Sequence, residues 1–206
     1  MAEKLSTERV GTSISLAAEH LRRGGIVAFP TETYYGLAVD YTCAPAVDKL
    51  FAAKLRVENK PLLLLIENKQ QLADIVEEIP PLYVPLMQRY WPGPLTLVFP
   101  AQGHVNRQIT GHTGTVGVRI SPHPLAQQLV YRMGGPITAT SANISGRSPA
   151  RSAAEVDEML GDTVDYIVDG GPSDGGLCST VVGIKNGRLC LLRHGRIELS
   201  FARIDR

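Results

Sequence analysis

The sequence predicts an α/β fold: a twisted sheet of mixed parallel and antiparallel strands with helices packed against it. Three observations carry that reading. Short apolar runs of strand length alternate with segments of helical spacing through most of the chain. Near the end, two strand-like runs flank Asn186-Gly187, the strongest short hairpin signal. The composition, 44% hydrophobic and 20% charged over 206 residues, is that of an ordinary globular chain able to bury a substantial core.

The elements follow in order. Ser13 to Arg23 carries Ile14, Ala17, Ala18 and Leu21 at helical spacing, with Thr12 or Ser13 as cap and Gly24-Gly25 as stop. Ile26 to Phe29 is a buried strand that ends at Pro30 and opens a hydroxyl-rich loop through Leu37. Pro45 to Ala53 is a helix with proline near its start. A basic loop, Lys54 to Pro61, leads to a strand at Leu62 to Ile66. Gln70 to Val76 and Pro81 to Arg89 read as helices, Trp91 to Pro94 as a rigid turn, and Leu95 to Phe99 as a strand. Gln102 to Gly114 is a loop, and Val116 to Ile120 alternates as a strand, placing Arg119 among apolar neighbours. A buried arginine there needs an anionic partner. Pro124 to Arg132 is a helix closed by Gly134-Gly135, and the strand Ile137 to Thr140 runs into a polar turn at Ser141 to Gly146. Ala153 to Leu160 is a helix and Tyr166 to Val168 a strand. Gly170 to Gly176 is a flexible turn region, and Thr180 to Ile184 and Leu189 to Arg193 form the hairpin. No repeat or linker interrupts the chain, so one domain, 1–206, is expected.

Composition narrows the function classes. Lys+Arg 21 against Asp+Glu 20 gives a net charge of +1, so any basic site must be local rather than a global field. Three scattered cysteines without C-x-x-C argue against a disulfide framework or a zinc site, and the five histidines have no ligand spacing. No run reaches the length of a membrane span, and Met1 to Val10 is charge-rich without an apolar leader, so the expected address is the cytoplasm.

The positive charge that matters is concentrated in Lys54, Arg56 and Lys60. Three long cations between two core elements are costly to hold together without an anion, so on its own the stretch reads either as a loop that binds nucleotide phosphates or as a solvated basic turn. Polar clusters follow other strands or glycine turns: Thr31 to Thr33, Thr140 to Asn143 with Ser145-Gly146, and Cys178-Ser179-Thr180. Such groups donate hydrogen bonds without carrying charge, which suits phosphate, carboxylate and ribose. There is no G-x-x-x-x-G-K-[ST] and no G-x-S-x-G elbow, which argues against a P-loop enzyme and a serine hydrolase. Asp169 and Asp174 beside the glycine turn read as solvated acids, and Gly111 to Gly117 as a flexible turn.

Taken in order, seven segments resemble the YrdC-type threonylcarbamoyl-adenylate synthases. They are Pro30-Thr31-Glu32-Thr33-x-Tyr35-Gly36-Leu37, Lys54-x-Arg56-x-x-x-Lys60-Pro61-Leu62, Trp91-Pro92-Gly93-Pro94-x-Thr96, Val116-Gly117-Val118-Arg119, Thr140-Ser141-Ala142-Asn143-x-Ser145-Gly146, Ser179-Thr180-Val181 and Leu192-Arg193-x-Gly195. The resemblance implies a mixed sheet around a basic concave pocket. It also implies synthesis of threonylcarbamoyl-adenylate from L-threonine, bicarbonate or CO2, and ATP, with release of pyrophosphate. Partner proteins would then pass the threonylcarbamoyl group to tRNA. Magnesium would enter on the triphosphate.

Carried over by position, the resemblance makes Lys54, Arg56 and Lys60 the catalytic cations. Arg56 and Lys60 face the ATP phosphates, and Thr115, Ser141, Asn143 and Arg193 hold the nucleotide. Thr33, Arg119 and Ser179 hold threonine or its carbamate, with Arg119 on the carboxylate. No metal ligand is expected from the protein. Val57 stands where many relatives have proline, Leu65 where some have a threonine-binding histidine, and Tyr34 where a smaller apolar residue is common. The chain ends at Arg206 without the second domain of longer relatives, as in the single-domain form. Two rival readings stand beside this one. One is a non-catalytic module that binds tRNA or double-stranded RNA, a contact that the enzyme could also make weakly. The other is a diverged relative using another carbamoylated substrate.

Overall fold

A computed structural model describes residues 9–57 and 59–199. The predicted domain bounds at 1 and 206, most of the charge-rich opening segment, and Glu58 of the basic loop lie outside the described residues. Among the described residues, no helix is long and apolar enough to cross a membrane.

The elements are β1 (Val10–Gly11), α1 (Ile14–Arg22), β2 (Val27–Phe29), β3 (Gly36–Ala38), α2 (Ala44–Ala53), β4 (Leu63–Leu65), α3 (Val84–Tyr90), β5 (Leu95–Pro100), β6 (Thr115–Arg119), α4 (Pro124–Met133), β7 (Ile137–Ser141), α5 (Ala153–Leu160), β8 (Tyr166–Val168), β9 (Thr180–Lys185) and β10 (Arg188–Arg193). The strands form one mixed sheet in the order β1-β8-β2-β3-β7-β4-β6-β5-β9-β10. β8 runs parallel to both β1 and β2, β4 to β6, and β5 to β9; the remaining neighbours are antiparallel. The expected mixed α/β sheet is what forms.

Local chemistry sets the helix ends. The Ser13 hydroxyl accepts from Leu16 N–H at the start of α1, and Ser152 does the same from Glu155 N–H at α5. Gly134, with φ +78°, ends α4 in the left-handed conformation that a C-terminal cap requires. Asn186 and Gly187 both have positive φ, as a type I′ hairpin turn demands.

Four expectations are corrected. β1 and β3 were not foreseen as strands. β3 pairs antiparallel with β2, Phe29 opposite Gly36, so the hydroxyl-rich loop is a hairpin loop that ends at Tyr35 rather than at Leu37. Lys69–Asp74 is a 3-10 helix capped by Asn68, not an α-helix, and Pro81–Tyr83 is a 3-10 turn that leads into α3. The glycine segment 170–176 is not loose. Tyr35 Oη donates to Gly171 O, Tyr34 Oη donates to Gly176 O, and Gly175 N–H donates to Thr33 O.

The sheet has two distinct faces. One is covered by α2, α3 and α5 through Leu50, Phe51, Met87 and Val156, packed on Leu64, Leu97, Val116 and Val118. The other is covered by α1 and α4 only over the β8-β2-β3-β7 half, where Ala17, Leu21, Leu129 and Val130 meet Val27, Phe29, Ile137 and Tyr166. Beyond β4 this second face opens into a cavity. Each buried valine or leucine on the first face contributes roughly 1.5–3 kcal/mol. A one-residue slip of β6 would exchange Val116 and Val118 for Thr115, Gly117 and Arg119, so burial fixes which side chains look into the cavity.

Candidate active site

The cavity holds about 310 Å³, at the lower end for small-molecule sites. Its floor is the alternate residues of four strands: Thr96 and Val98 on β5, Thr115, Gly117 and Arg119 on β6, Leu63 on β4, and Ala139 and Ser141 on β7. Three rims rise around it. The loop from Thr31 to Tyr35 forms the first, Arg56 and Pro61 the second, and Cys178, Ser179 and Arg193 the third. A larger, more open depression of about 750 Å³ lies between α2 and α5. Asp157, Glu158, Asp162 and Asp165 line it with only Arg9 and Lys49 against them, a balance unsuited to anions.

Seven of the ten predicted site residues line the small cavity: Thr33, Arg56, Thr115, Arg119, Ser141, Ser179 and Arg193. Arg56 reaches it from the end of α2, with its guanidinium donating to Pro61 O at 2.8 Å and Lys60 O at 3.3 Å. Arg193 reaches it through a β-bulge. The register shifts between Leu191, opposite Val182, and Arg193, opposite Val181. In regular pairing Arg193 would share a face with Leu191 and point at the core; the extra residue, Leu192, turns it to the cavity. There its Nε and Nη2 donate to Ser179 O, and Nη2 also to Ser179 Oγ at 2.9 Å. Ser179 Oγ lies 2.9 Å from Thr96 Oγ1, giving a continuous polar wall. The wall depends on Gly195, since a Cβ there would collide with the backbone of Cys178, Ser179 and Thr180.

Arg119 is 4% exposed and pairs with Glu32, Nη1 to Oε1 at 3.1 Å. The anionic partner demanded by its burial is therefore within the protein. Burial pulls its pKa down, with Glu32 opposing the shift, and its Nε has no hydrogen-bond partner. In the first rim, Thr31 Oγ1 donates to Tyr34 O at 2.7 Å, so in its 3.1 Å contact with Thr33 the Thr33 hydroxyl is the donor. That leaves Thr33 Oγ1 as an acceptor towards the cavity.

Three expected ligand contacts are corrected. Lys54 does not face the cavity: it is 1% exposed, and its Nζ donates to Ser141 O, Asn143 O and Asn143 Oδ1. Asn143 uses its whole amide inside the turn. Its Oδ1 accepts from Ser141 Oγ as well as Lys54, and its Nδ2 donates to Ile144 O and Arg147 O. The Lys60 side chain is exposed and outside the cavity lining, and only its carbonyl touches Arg56. Of the three departures from the family pattern, Val57 is exposed, and the other two have definite places. Leu65 is buried against α1 and α4, whereas Leu63, two residues earlier on the same face, meets the cavity. Tyr34 lines the cavity with its hydroxyl held by Gly176.

Thr31 and Cys178, from the expected polar clusters, also line the cavity, and so do Thr96 and Gly117, which were not foreseen as site residues. Thr96 was visible in principle. It alternates with the core residues Leu95 and Leu97, so it must lie on the opposite face. Asp169 accepts from Gly171 N–H and Asp174 pairs with Arg196 at 3.4 Å, as turn acids. Among the described residues no cluster of histidine, cysteine or carboxylates could hold a metal ion.

Known proteins share the sequence pattern and the fold. The Sua5/YciO/YrdC family model, described as "Telomere recombination", matches residues 19–195. A threonylcarbamoyl-AMP synthase of Pyrococcus abyssi is 42% identical over 186 residues, covering 90% of this chain and 55% of that protein. One of Halorhodospira halophila is 42% identical over 154 residues, covering 75% of this chain and 81% of that protein. The crystal structure of P. abyssi Sua5 complexed with L-threonine superposes with a TM-score of 0.86 at 41% identity, over 90% of this chain and 56% of that one. The chain thus spans about half the length of the P. abyssi relative.

Proposed function

The chain belongs to the Sua5/YciO/YrdC family, and on that premise we propose that it makes L-threonylcarbamoyl-adenylate from L-threonine, bicarbonate or CO2, and ATP, releasing pyrophosphate. The observation that carries this reading is the convergence of three guanidiniums, Arg56, Arg119 and Arg193, on one hydroxyl-floored cavity. Such a cavity suits two anions that must approach each other. The threonine amine adds to CO2, forming an N–C bond and losing a proton. The resulting carbamate oxygen attacks the α-phosphorus, and the bond to pyrophosphate breaks. The carbamate is itself the nucleophile, so the protein needs to supply none. Its work is to position both anions and offset their charge.

Within this scheme Arg56 takes phosphate oxygens from the basic rim. Arg193 and Ser179 form the opposite wall, and Arg119 takes the threonine carboxylate. Thr33 Oγ1, left as an acceptor, accepts a hydrogen bond from the amino acid. Ser141 and Thr115 supply hydroxyls to the nucleotide. Lys54 and Asn143 act on the site through Ser141. Magnesium arrives as part of the ATP substrate, with phosphate and water as its ligands. Transfer of the threonylcarbamoyl group to tRNA by partner proteins, in the cytoplasm, completes the reading.

The test is pyrophosphate release with ATP, magnesium and bicarbonate, with and without L-threonine. Release that requires threonine is expected. Release indifferent to threonine would favour a relative using another substrate. No turnover, together with steeply salt-dependent RNA binding, would favour the RNA module.

Gly117 offers a separate test of where the substrates sit. A Cβ there would lie 3.2 Å from Thr96 Cγ2 and 3.6 Å from Leu63 Cβ, on the cavity floor. Gly117→Val suits a strand, yet its branches project into the substrate space. The expected result is a KM for threonine or ATP raised about tenfold or more, with a cooperative melt retained. Unchanged KM values for both would place the substrates elsewhere.

A further inference from the structure

Glu32 sits between two cavity-lining threonines, yet its own side chain turns away from the cavity towards Arg119. Its two oxygens have different tasks. Oε1 lies 3.1 Å from Arg119 Nη1, and Oε2 accepts from Ser121 Oγ at 2.5 Å. Ser121 is itself anchored. Its Oγ accepts from His123 N–H, and its carbonyl accepts from Gln127 Nε2 on α4. The carboxylate is therefore braced from the start of α4, and its Oε1, which has no hydrogen-bond partner, holds the guanidinium as an ion pair. Arg119 Nε, buried and without a partner, is left for another acceptor. Arg193, which also faces this cavity, pushes against Arg119 as a like charge, so without Glu32 the guanidinium has reason to swing away.

We infer that Glu32 is a positioning residue: it locks Arg119 in the orientation that receives the α-carboxylate of the amino acid, and so sets amino-acid affinity without touching substrate. This rests on the reading of the cavity as a threonine and ATP site. It goes beyond that reading by dividing the two substrates. Glu32 serves the amino-acid side through Arg119, whereas the phosphate side is served by Arg56 on a separate loop. Loss of the Glu32 charge should damage one substrate and spare the other. A merely structural role would weaken both alike.

Glu32→Gln keeps the size and an oxygen for Ser121 but removes the charge. The expected result is a KM for L-threonine raised about tenfold or more, with the KM for ATP within about twofold of wild type. Glu32→Asp restores the charge on a shorter arm and should recover part of the loss. A direct binding measurement by calorimetry separates this inference from the reading beneath it. Wild type should bind L-threonine more tightly than L-threoninol, which lacks the carboxylate, and Glu32→Gln should lose most of that preference. If wild type shows no preference, the amino-acid site itself is misplaced. If wild type shows it and Glu32→Gln retains it, or both KM values rise together, the positioning role is overturned. Should Glu32→Gln fail to fold, Ser121→Ala removes only the outer brace. It should raise the threonine KM about two- to fivefold with ATP unaffected; no change in the threonine KM would equally overturn the role.

Discussion

Replacing Arg56 with alanine is expected to lower threonine-dependent pyrophosphate release by about a hundredfold or more, the usual scale for removing one preorganised donor from a charge-developing transition state. The fold should barely respond. Arg56 is half-buried on the basic rim, and its bonds within the protein run to the carbonyls of Lys60 and Pro61 in the same loop. Bonds of that kind contribute about 0.5–1.5 kcal/mol each, or a few degrees of thermal midpoint in a chain of this size. Arg56→Lys keeps the charge but loses the planar fork, so it should fall between the two. Steady-state kinetics beside a thermal melt makes the comparison. Activity near wild type in Arg56→Ala would remove the basic rim from the phosphate side of the site.

The basic loop also shows what a sequence can and cannot convey about this site. Helix, loop and strand were legible because Val47, Leu50 and Phe51 keep helical spacing and Leu62 to Ile66 is continuously apolar. Three cations within seven positions were legible as well. Their directions were not. Lys54 closes α2 and turns inward, Arg56 turns to the cavity, and Lys60 turns to solvent, because Leu55 between them takes a left-handed φ of +48° and breaks the helical spacing.

Asn143 is a parallel case. Its type and place marked it as a ligand, but every polar atom of its amide meets protein, a matter of side-chain direction that spacing does not encode. Arg193 reaches the cavity only because of a bulge at Leu192, and nothing in Leu191-Leu192-Arg193 announces it. Arg119 was legible because alternation with Val116 and Val118 puts it on the face opposite the core, whereas Thr115, ahead of the expected strand, came only from the family resemblance. β1 and β3 escaped notice for a simpler reason. At two and three residues, each is too short to show a period and exists through its neighbours in the sheet.

Lys54→Met should destabilise the protein and inactivate it together, by a different route from Arg56→Ala. Methionine fills a similar space without a donor. Asn143 O then loses its partner, at about 1–3 kcal/mol for a buried acceptor left unsatisfied, while Ser141 O, which keeps Asn143 N–H, and Asn143 Oδ1, which keeps Ser141 Oγ, each lose one of two bonds at about 0.5–1.5 kcal/mol. Removing a buried cation offsets part of this, so a net loss of about 2–3 kcal/mol at pH 7 is expected. The active site suffers because the turn that carries Ser141 is then tied to the start of the Arg56 loop by the Ser145 N–H to Lys54 O bond without the three side-chain bonds.

The pH dependence distinguishes this from simple core damage. Burial, and then the nearby Arg56 charge, lower the Lys54 pKa from 10.5 to about 7. Between those values the unfolded chain binds a proton that the folded protein does not. The wild-type contribution of Lys54 therefore rises with pH across the window, by up to about 1.4 kcal/mol per unit, and is lost as pH falls through 7. The stability gap between wild type and Lys54→Met, measured by urea denaturation at pH 7, 8 and 9, should widen accordingly. Parallel curves over that range would mean that the buried amine keeps its proton, held by its three oxygen acceptors against the desolvation that pulls it off.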